Sequence, residues 1–128
     1  MRRVSYVPLG RSEATVIKVL WFLKRADHLT LDEFRTWWVE SHSKEIVADQ
    51  APYLKRYTIK IRENEDTLTG KPVDEPDWDG VAEQWFEDEA GFNAVYGRAD
   101  RPTRADTLAH TSGFQRLVVR EWEIDCDV

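Results

Sequence analysis

Three histidines are the groups in this 128-residue chain that titrate closest to neutrality, and they mark where acid–base chemistry could sit. His42 is the leading candidate. It follows Leu31, Phe34 and Trp38 and precedes Ile46 at steps of three and four, the spacing of one helix face. An imidazole on such an apolar stripe faces inward, and with an ordinary pKa near ~6.5 it can take and return a proton. The same placement would suit a structural histidine bonded to a strand carbonyl. Glu83 lies in an alternating segment with Val81 and Trp85 on its own side. A carboxylate so flanked could have a raised pKa and act as acid or base, but pairing with Arg116 or Arg120, or a plain exposed position, is the favoured reading. Asp106 and His110 stand four apart on a helical stretch and can touch, either orienting the imidazole for base catalysis or forming a surface pair. His28 falls in a loop and reads as solvated.

The aromatics are the candidate pocket walls. The chain holds six Trp, more than a core of this size needs. Trp21, Phe22, Trp38, Tyr57, Trp85 and Trp122 fall on core elements, and most read as core. A share of the aromatics, Trp21, Trp38, Tyr57 and Trp85 with Trp78 from a loop, is expected to line a cavity for a planar or polycyclic ligand. The sequence has no CxxC, HxH or HExxH, no phosphate loop and no nucleophile elbow, so neither a metal nor another cofactor is expected.

Composition bounds the rest. Apolar residues at 41% and charged residues at 33% are globular proportions, and the length suits one domain. The net charge is −6 and the basic residues are scattered, which disfavours a nucleic-acid partner. Cys126 stands alone, so no internal disulfide is expected. No signal peptide and no membrane-length apolar run is legible, and a cytoplasmic location is the default expectation.

The elements that would position these groups follow from periodicity. Residues 1–14 read as an extension and 15–128 as the domain. Thr15 to Lys24 is nearly continuous in apolar character, a strand covered on both faces, with Ile17, Val19, Trp21 and Leu23 on one side and Leu20 and Phe22 on the other. Thr30 and Glu33 form a capping box that opens the His42 helix, and Pro52 ends it. Tyr53 to Arg62 and Gly80 to Glu87 read as strands, separated by a long acidic loop whose anchor is expected to be Trp78. Short helices are predicted over Glu89 to Tyr96 and Pro102 to Thr111, with Gly113 as the stop, and a last strand over Phe114 to Ile124. The order βαββαβ predicts a ferredoxin-like α+β fold: a four-stranded antiparallel sheet with helices on one face. The other face then needs cover, and a homodimer sharing it gives a dimeric α+β barrel.

Three segments together resemble the EthD-like family of dimeric α+β barrel proteins. They are IKVLWFLKR with LTLDEFRTWWVESH, whose Phe34, Arg35, Trp38 and His42 match a family helix; Asp79 to Phe86, similar to the third strand; and the closing strand after Phe114. The resemblance covers roughly residues 15–124. It implies cofactor-free chemistry on a small cyclic or aromatic-derived metabolite (isomerisation, elimination or cyclisation), with His42 shuttling the proton and Glu83 or His110 as a second group. A non-catalytic small-molecule-binding protein and a cofactor-independent monooxygenase are the alternatives it leaves. Distant relatives bind haem, for which His42 or His110 would be the axial ligand. Two departures stand out: many members carry an acid where this chain has His110, and loop 63–79 is long and acidic.

Overall fold

The computed structural model describes residues 5–7, by their backbone, and 15–127. In chain order the elements are β1 (Ser5–Val7), β2 (Ile17–Arg25) and α1 (Leu31–Thr36), which runs through a π-helical stretch, Trp37–His42, into α2 (Ser43–Gln50). There follow β3 (Leu54–Ile61), the small hairpin β4 (Glu65–Asp66) and β5 (Lys71–Pro72), β6 (Gly80–Phe86), α3 (Glu89–Tyr96), α4 (Arg104–His110), β7 (Thr111–Val119) and β8 (Glu123–Asp125). The main sheet is four-stranded, in the order β3-β6-β2-β7, and every pairing is antiparallel. This is the ferredoxin-like plan, with the helices on one face.

The β2 strand pairs on both sides, with β6 and β7, which suits its near-continuous apolar run. Val19 and Leu23 are buried beneath the helices. The capping box forms as read: the Thr30 hydroxyl accepts from the amide of Glu33, whose carboxylate accepts from the amide of Thr30. Leu31, Phe34, Trp38, His42 and Ile46 are all buried, so the predicted stripe is the inner face of the helix. The core divides into Leu23, Phe34, Trp38 and Ala82 near one end and Val19, Phe86 and Val95 near the other.

Several boundaries differ from the sequence reading. The last strand is two: β7 ends at Val119, and β8 pairs with β1 instead, so the chain's N-terminal segment meets its own C-terminal one. Gly113 is not a helix stop; it lies inside β7, opposite Lys24, where the β2–β7 register shifts. Trp122 is not core but 55% exposed, because it follows the end of β7. Loop 63–79 is tethered by Asp79, which is buried and accepts from Arg62 Nε and the amide of Arg25, each at 2.8 Å. Trp78 packs on Phe22, on the sheet face away from the helices. No helix among the described residues is long and apolar enough to cross a membrane.

Candidate active site

The helix carrying His42 is not wound uniformly. Phe34, Trp38, His42, Ile46 and Gln50 follow at four successive four-residue steps, and each step overshoots a 3.6-residue α-turn. A strict α-helix would carry the later residues off the buried face. The π-helical turn absorbs the excess, and the amide of Ser43 accordingly donates to the carbonyl of Trp38, five residues back. The wider turn also brings Trp37 inward beside Trp38, so both indoles are buried. Residues five apart approach each other across such a turn, and the Trp37 ring stacks on His42 with centroids 4.6 Å apart.

The other face of Trp37 carries His110, at 4.5 Å and nearly parallel (8°). One carboxylate from α4 holds the edge of this three-ring stack. Asp106 Oδ2 lies 2.8 Å from His42 Nδ1, and its two oxygens accept from Trp37 Nε1 at 3.1 and 3.2 Å. His110 Nδ1 lies 2.8 Å from the carbonyl and 3.2 Å from the Oδ1 of the same residue. An ionised carboxylate can only accept, so it fixes the His42 tautomer with the proton on Nδ1. The Nε2 lone pair is left beside the Thr107 hydroxyl at 3.3 Å. Burial pushes the Asp106 carboxyl up, but the hydrogen bonds from His42 and Trp37 outweigh it and hold the group below the ordinary carboxylate range.

His42 and Thr107 line a cavity of about 90 Å³ between the sheet and the helices. Trp21, Trp38, Tyr57 and Phe114 supply its aromatic walls. The Tyr96 hydroxyl accepts from Trp21 Nε1 at 2.9 Å and donates to Gln84 Oε1. Burial pushes the Tyr57 phenol up to about 12, against a weaker opposing hydrogen bond from Trp38, so the phenol keeps its proton at neutral pH and remains a donor. Gln50 Oε1 is buried and has no hydrogen-bond partner among the described residues.

Of the residues singled out in the sequence, the cavity brings together His42, Trp38, Tyr57 and Trp21. Glu83, Trp85 and Trp78 lie elsewhere. Side chains alternate along β6, so Glu83 and Trp85 project to the far face while Ala82 and Gln84 face the cavity. The Glu83 carboxyl is lowered, not raised, as a paired carboxylate would be. Burial does push it up, but the ammonium groups of Lys18 (3.1 Å) and Lys60 (3.6 Å) lower it overall. Its partners are therefore these lysines rather than Arg116 or Arg120. Trp85 sits between Lys18 and Arg56 on that far face. His110 touches the stack but is not part of the cavity lining. Asp106, read as a partner for His110 alone, serves both histidines. Trp37 was missed because it falls off an ideal α-helical stripe; the run of four-residue steps was the available signal. Arg98, Arg101 and Arg104 at the cavity were missed as well, although they recur every third residue.

One donor set could take a cation. His42, Glu45 and Asp106 each offer a ligand atom, all within 4.8 Å of one another. The Asp106 carboxylate already accepts from the Trp37 and His42 rings there, so a cation would compete with those N–H groups.

Comparison with known proteins bears on this arrangement. The family model of the EthD domain matches residues 26–109, which span the helix of His42, the edge strand β3, the inner strand β6, and Asp106. The chain belongs to the EthD family. Among solved structures it is similar to an ethyl tert-butyl ether D (EthD) family protein from Bacillus halodurans, with a TM-score of 0.60 at 10% identity over 83% of this chain and 98% of that one. An EthD-like protein from Ralstonia eutropha matches with a TM-score of 0.56 at 16% identity, over 80% and 90% of the two chains. A variant of SnoaB, a cofactor-independent oxygenase from Streptomyces nogalater, matches at 0.54 and 18% identity, over 83% and 91%. At these identities the likenesses establish the fold alone. No curated protein matches the sequence. The EthD match does not extend to Trp21 or Phe114, so part of the cavity is contributed by segments outside it.

Proposed function

We propose that this EthD-family chain is a cofactor-free enzyme that moves protons on a small cyclic or aromatic-derived metabolite. The observation that carries the reading is the buried His42–Asp106 pair, whose imidazole, with its Nε2 beside the Thr107 hydroxyl, lines an aromatic-walled cavity. The reaction would be an isomerisation, elimination or cyclisation. His42 Nε2 removes a proton from substrate carbon, and Asp106 holds the imidazole in place and stabilises the imidazolium that forms. Trp37 keeps the Asp106 carboxylate aligned by donating to both of its oxygens. The Tyr57 phenol, protonated at neutral pH, is a donor for negative charge developing on a substrate oxygen. His42 then returns the proton at a second position. The protein works as a homodimer closed through the sheet face that its own helices leave open.

The test is exchange of substrate C–H for deuterium, followed by NMR in heavy water across cyclic and aromatic-derived candidates. Wild type is expected to exchange its substrate, and His42→Ala to slow exchange by ~10²–10⁴ while the protein stays folded. Near-normal exchange with a large drop in melting temperature would make His42 structural. Ligand binding without exchange would make the protein an accessory binder, and strict dependence on oxygen would favour an oxygenase.

A further inference from the structure

The entrance to the cavity is unusually basic for a chain of net charge −6. Three arginines line it, a fourth, Arg116, approaches its Trp21 and Tyr96 walls, and only Arg98 is neutralised among the described residues. Arg98 makes a two-pronged bond to Asp49, at 3.1 and 2.6 Å. Arg101, Arg104 and Arg116 have no carboxylate partner among the described residues. Arg101 and Arg104 line the cavity. The Arg101 guanidinium lies 4.9 Å over the Tyr96 ring, and one of its nitrogens donates to the Tyr96 carbonyl at 3.0 Å. From β7, Arg116 reaches the same ring at 5.1 Å and Trp21 at 5.9 Å. Two cations thus converge on one aromatic wall with nothing negative between them. Burial, and then the nearby charge of Arg116, weaken the hold of Arg101 on its proton, the mark of a cation lacking a counter-ion.

We propose that the cavity recognises a carboxylate: its ligand is a cyclic or aromatic carboxylic acid whose anion is held by Arg101 and Arg116, with Arg104 beside them, while its ring lies against Trp21, Trp38 and Tyr96. The guanidinium fork matches a carboxylate with two parallel hydrogen bonds, and the surrounding rings limit the water that would otherwise screen them. Gln50 Oε1, a buried acceptor on the same cavity without a partner among the described residues, marks a space for a ligand donor such as a ring hydroxyl or N–H, away from the carboxylate end. The inference rests on this cavity being the substrate site, and it adds which end of the substrate points outward: the acid sits at the arginines and the reacting carbon near His42.

The experiment is a binding titration, which needs no turnover. Benzoate, phenylacetate and 3-phenylpropionate are each compared with the matching amide by ligand-observed NMR. At least one acid is expected to bind about tenfold more tightly than its amide, with the gap shrinking as salt is raised. Arg101→Gln should cut the preference, Arg101→Lys should keep part of it, and Arg101→Gln with Arg116→Gln should erase it. Arg116→Gln alone, on an exposed strand position, carries the test if the Arg101 variants fail to fold. Equal binding of acid and amide, no acid binding at all, or a preference that survives the double variant overturns the proposal. Phenyl phosphate binding more tightly than every acid reassigns the arginines to phosphoesters. Inorganic phosphate displacing the acids at equal concentration makes them a general anion site, and either result defeats the carboxylate assignment. In His42→Ala the acid preference should persist. A preference retained without any exchange chemistry in wild type would thus defeat the catalytic reading and leave this one standing.

Discussion

At the scale of single residues, Asp106 is the group on which most depends. Its carboxylate accepts from the His42 imidazole and the Trp37 indole, and both lower its affinity for a proton. A carboxyl depressed in the folded state binds fewer protons there than in the unfolded chain, so stability rises with pH across that window. The contribution is complete above the ordinary value of 3.8 and is lost as pH falls through the lower folded value. Thermal melts from pH 6 down to pH 2 should therefore show an acid-side loss that is smaller in Asp106→Asn. The same substitution separates roles. An amide can still accept from one donor, but it can turn its NH₂ toward Nδ1 and favour the wrong tautomer, so proton transfer should fall ~10²–10⁴ at neutral pH. His42→Gln should lose as much activity and, by removing the imidazole that holds the carboxyl down, should also flatten part of the acid-side loss. An Asp106→Asn enzyme with wild-type turnover would remove the carboxylate from the mechanism.

At the scale of elements, the informative one is the helix from Leu31 to Gln50. Its start was legible because Thr30 and Glu33 satisfy each other's amides whatever follows. Its inner face was legible because burial follows period, and His42 came with it. Its π-turn was not, since a stripe of four-residue steps looks helical until the overshoot is summed. Trp37, and the stacking of both histidines on it, stayed hidden for that reason. Glu83 misled for a different one: alternation along a strand separates two faces but does not say which meets the helices. A second constraint operates where β6 begins. Gly80 faces Trp38 so closely that a Cβ there would lie 2.6 Å from the Lys60 carbonyl oxygen and 2.7 Å from the Trp38 ring. Gly80→Ala must push back both the β3 strand and the largest buried ring of the cavity wall. A cost of about 1–3 kcal/mol is expected, read as a lower urea midpoint with unchanged slope, together with weaker ligand binding. Wild-type stability and binding in this variant would mean that Trp38 moves freely.

At the scale of the whole molecule, the sheet has one face under helices and one without them. Leu20, Phe22, Val81 and Leu117 form an apolar stripe on the uncovered side, flanked by Lys18, Lys60 and Glu83; Leu117 is 42% exposed. There too the Trp85 indole N–H is buried without an acceptor among the described residues. A second copy laid on this stripe would bury it, and light scattering at micromolar concentration is expected to give twice 15.0 kDa. Leu117→Glu should return the mass to 15.0 kDa, whereas a wild-type monomer would dismiss the dimer. The same sheet separates two sets of obligations by the thickness of one strand. Trp21, Ala82 and Gln84 look into the cavity, and their immediate neighbours Leu20, Val81 and Glu83 look away from it. Inheritance can therefore edit one set without rewriting the other. Descendants of this sequence are free to change what they bind while keeping how they assemble, or to change assembly while keeping the ligand.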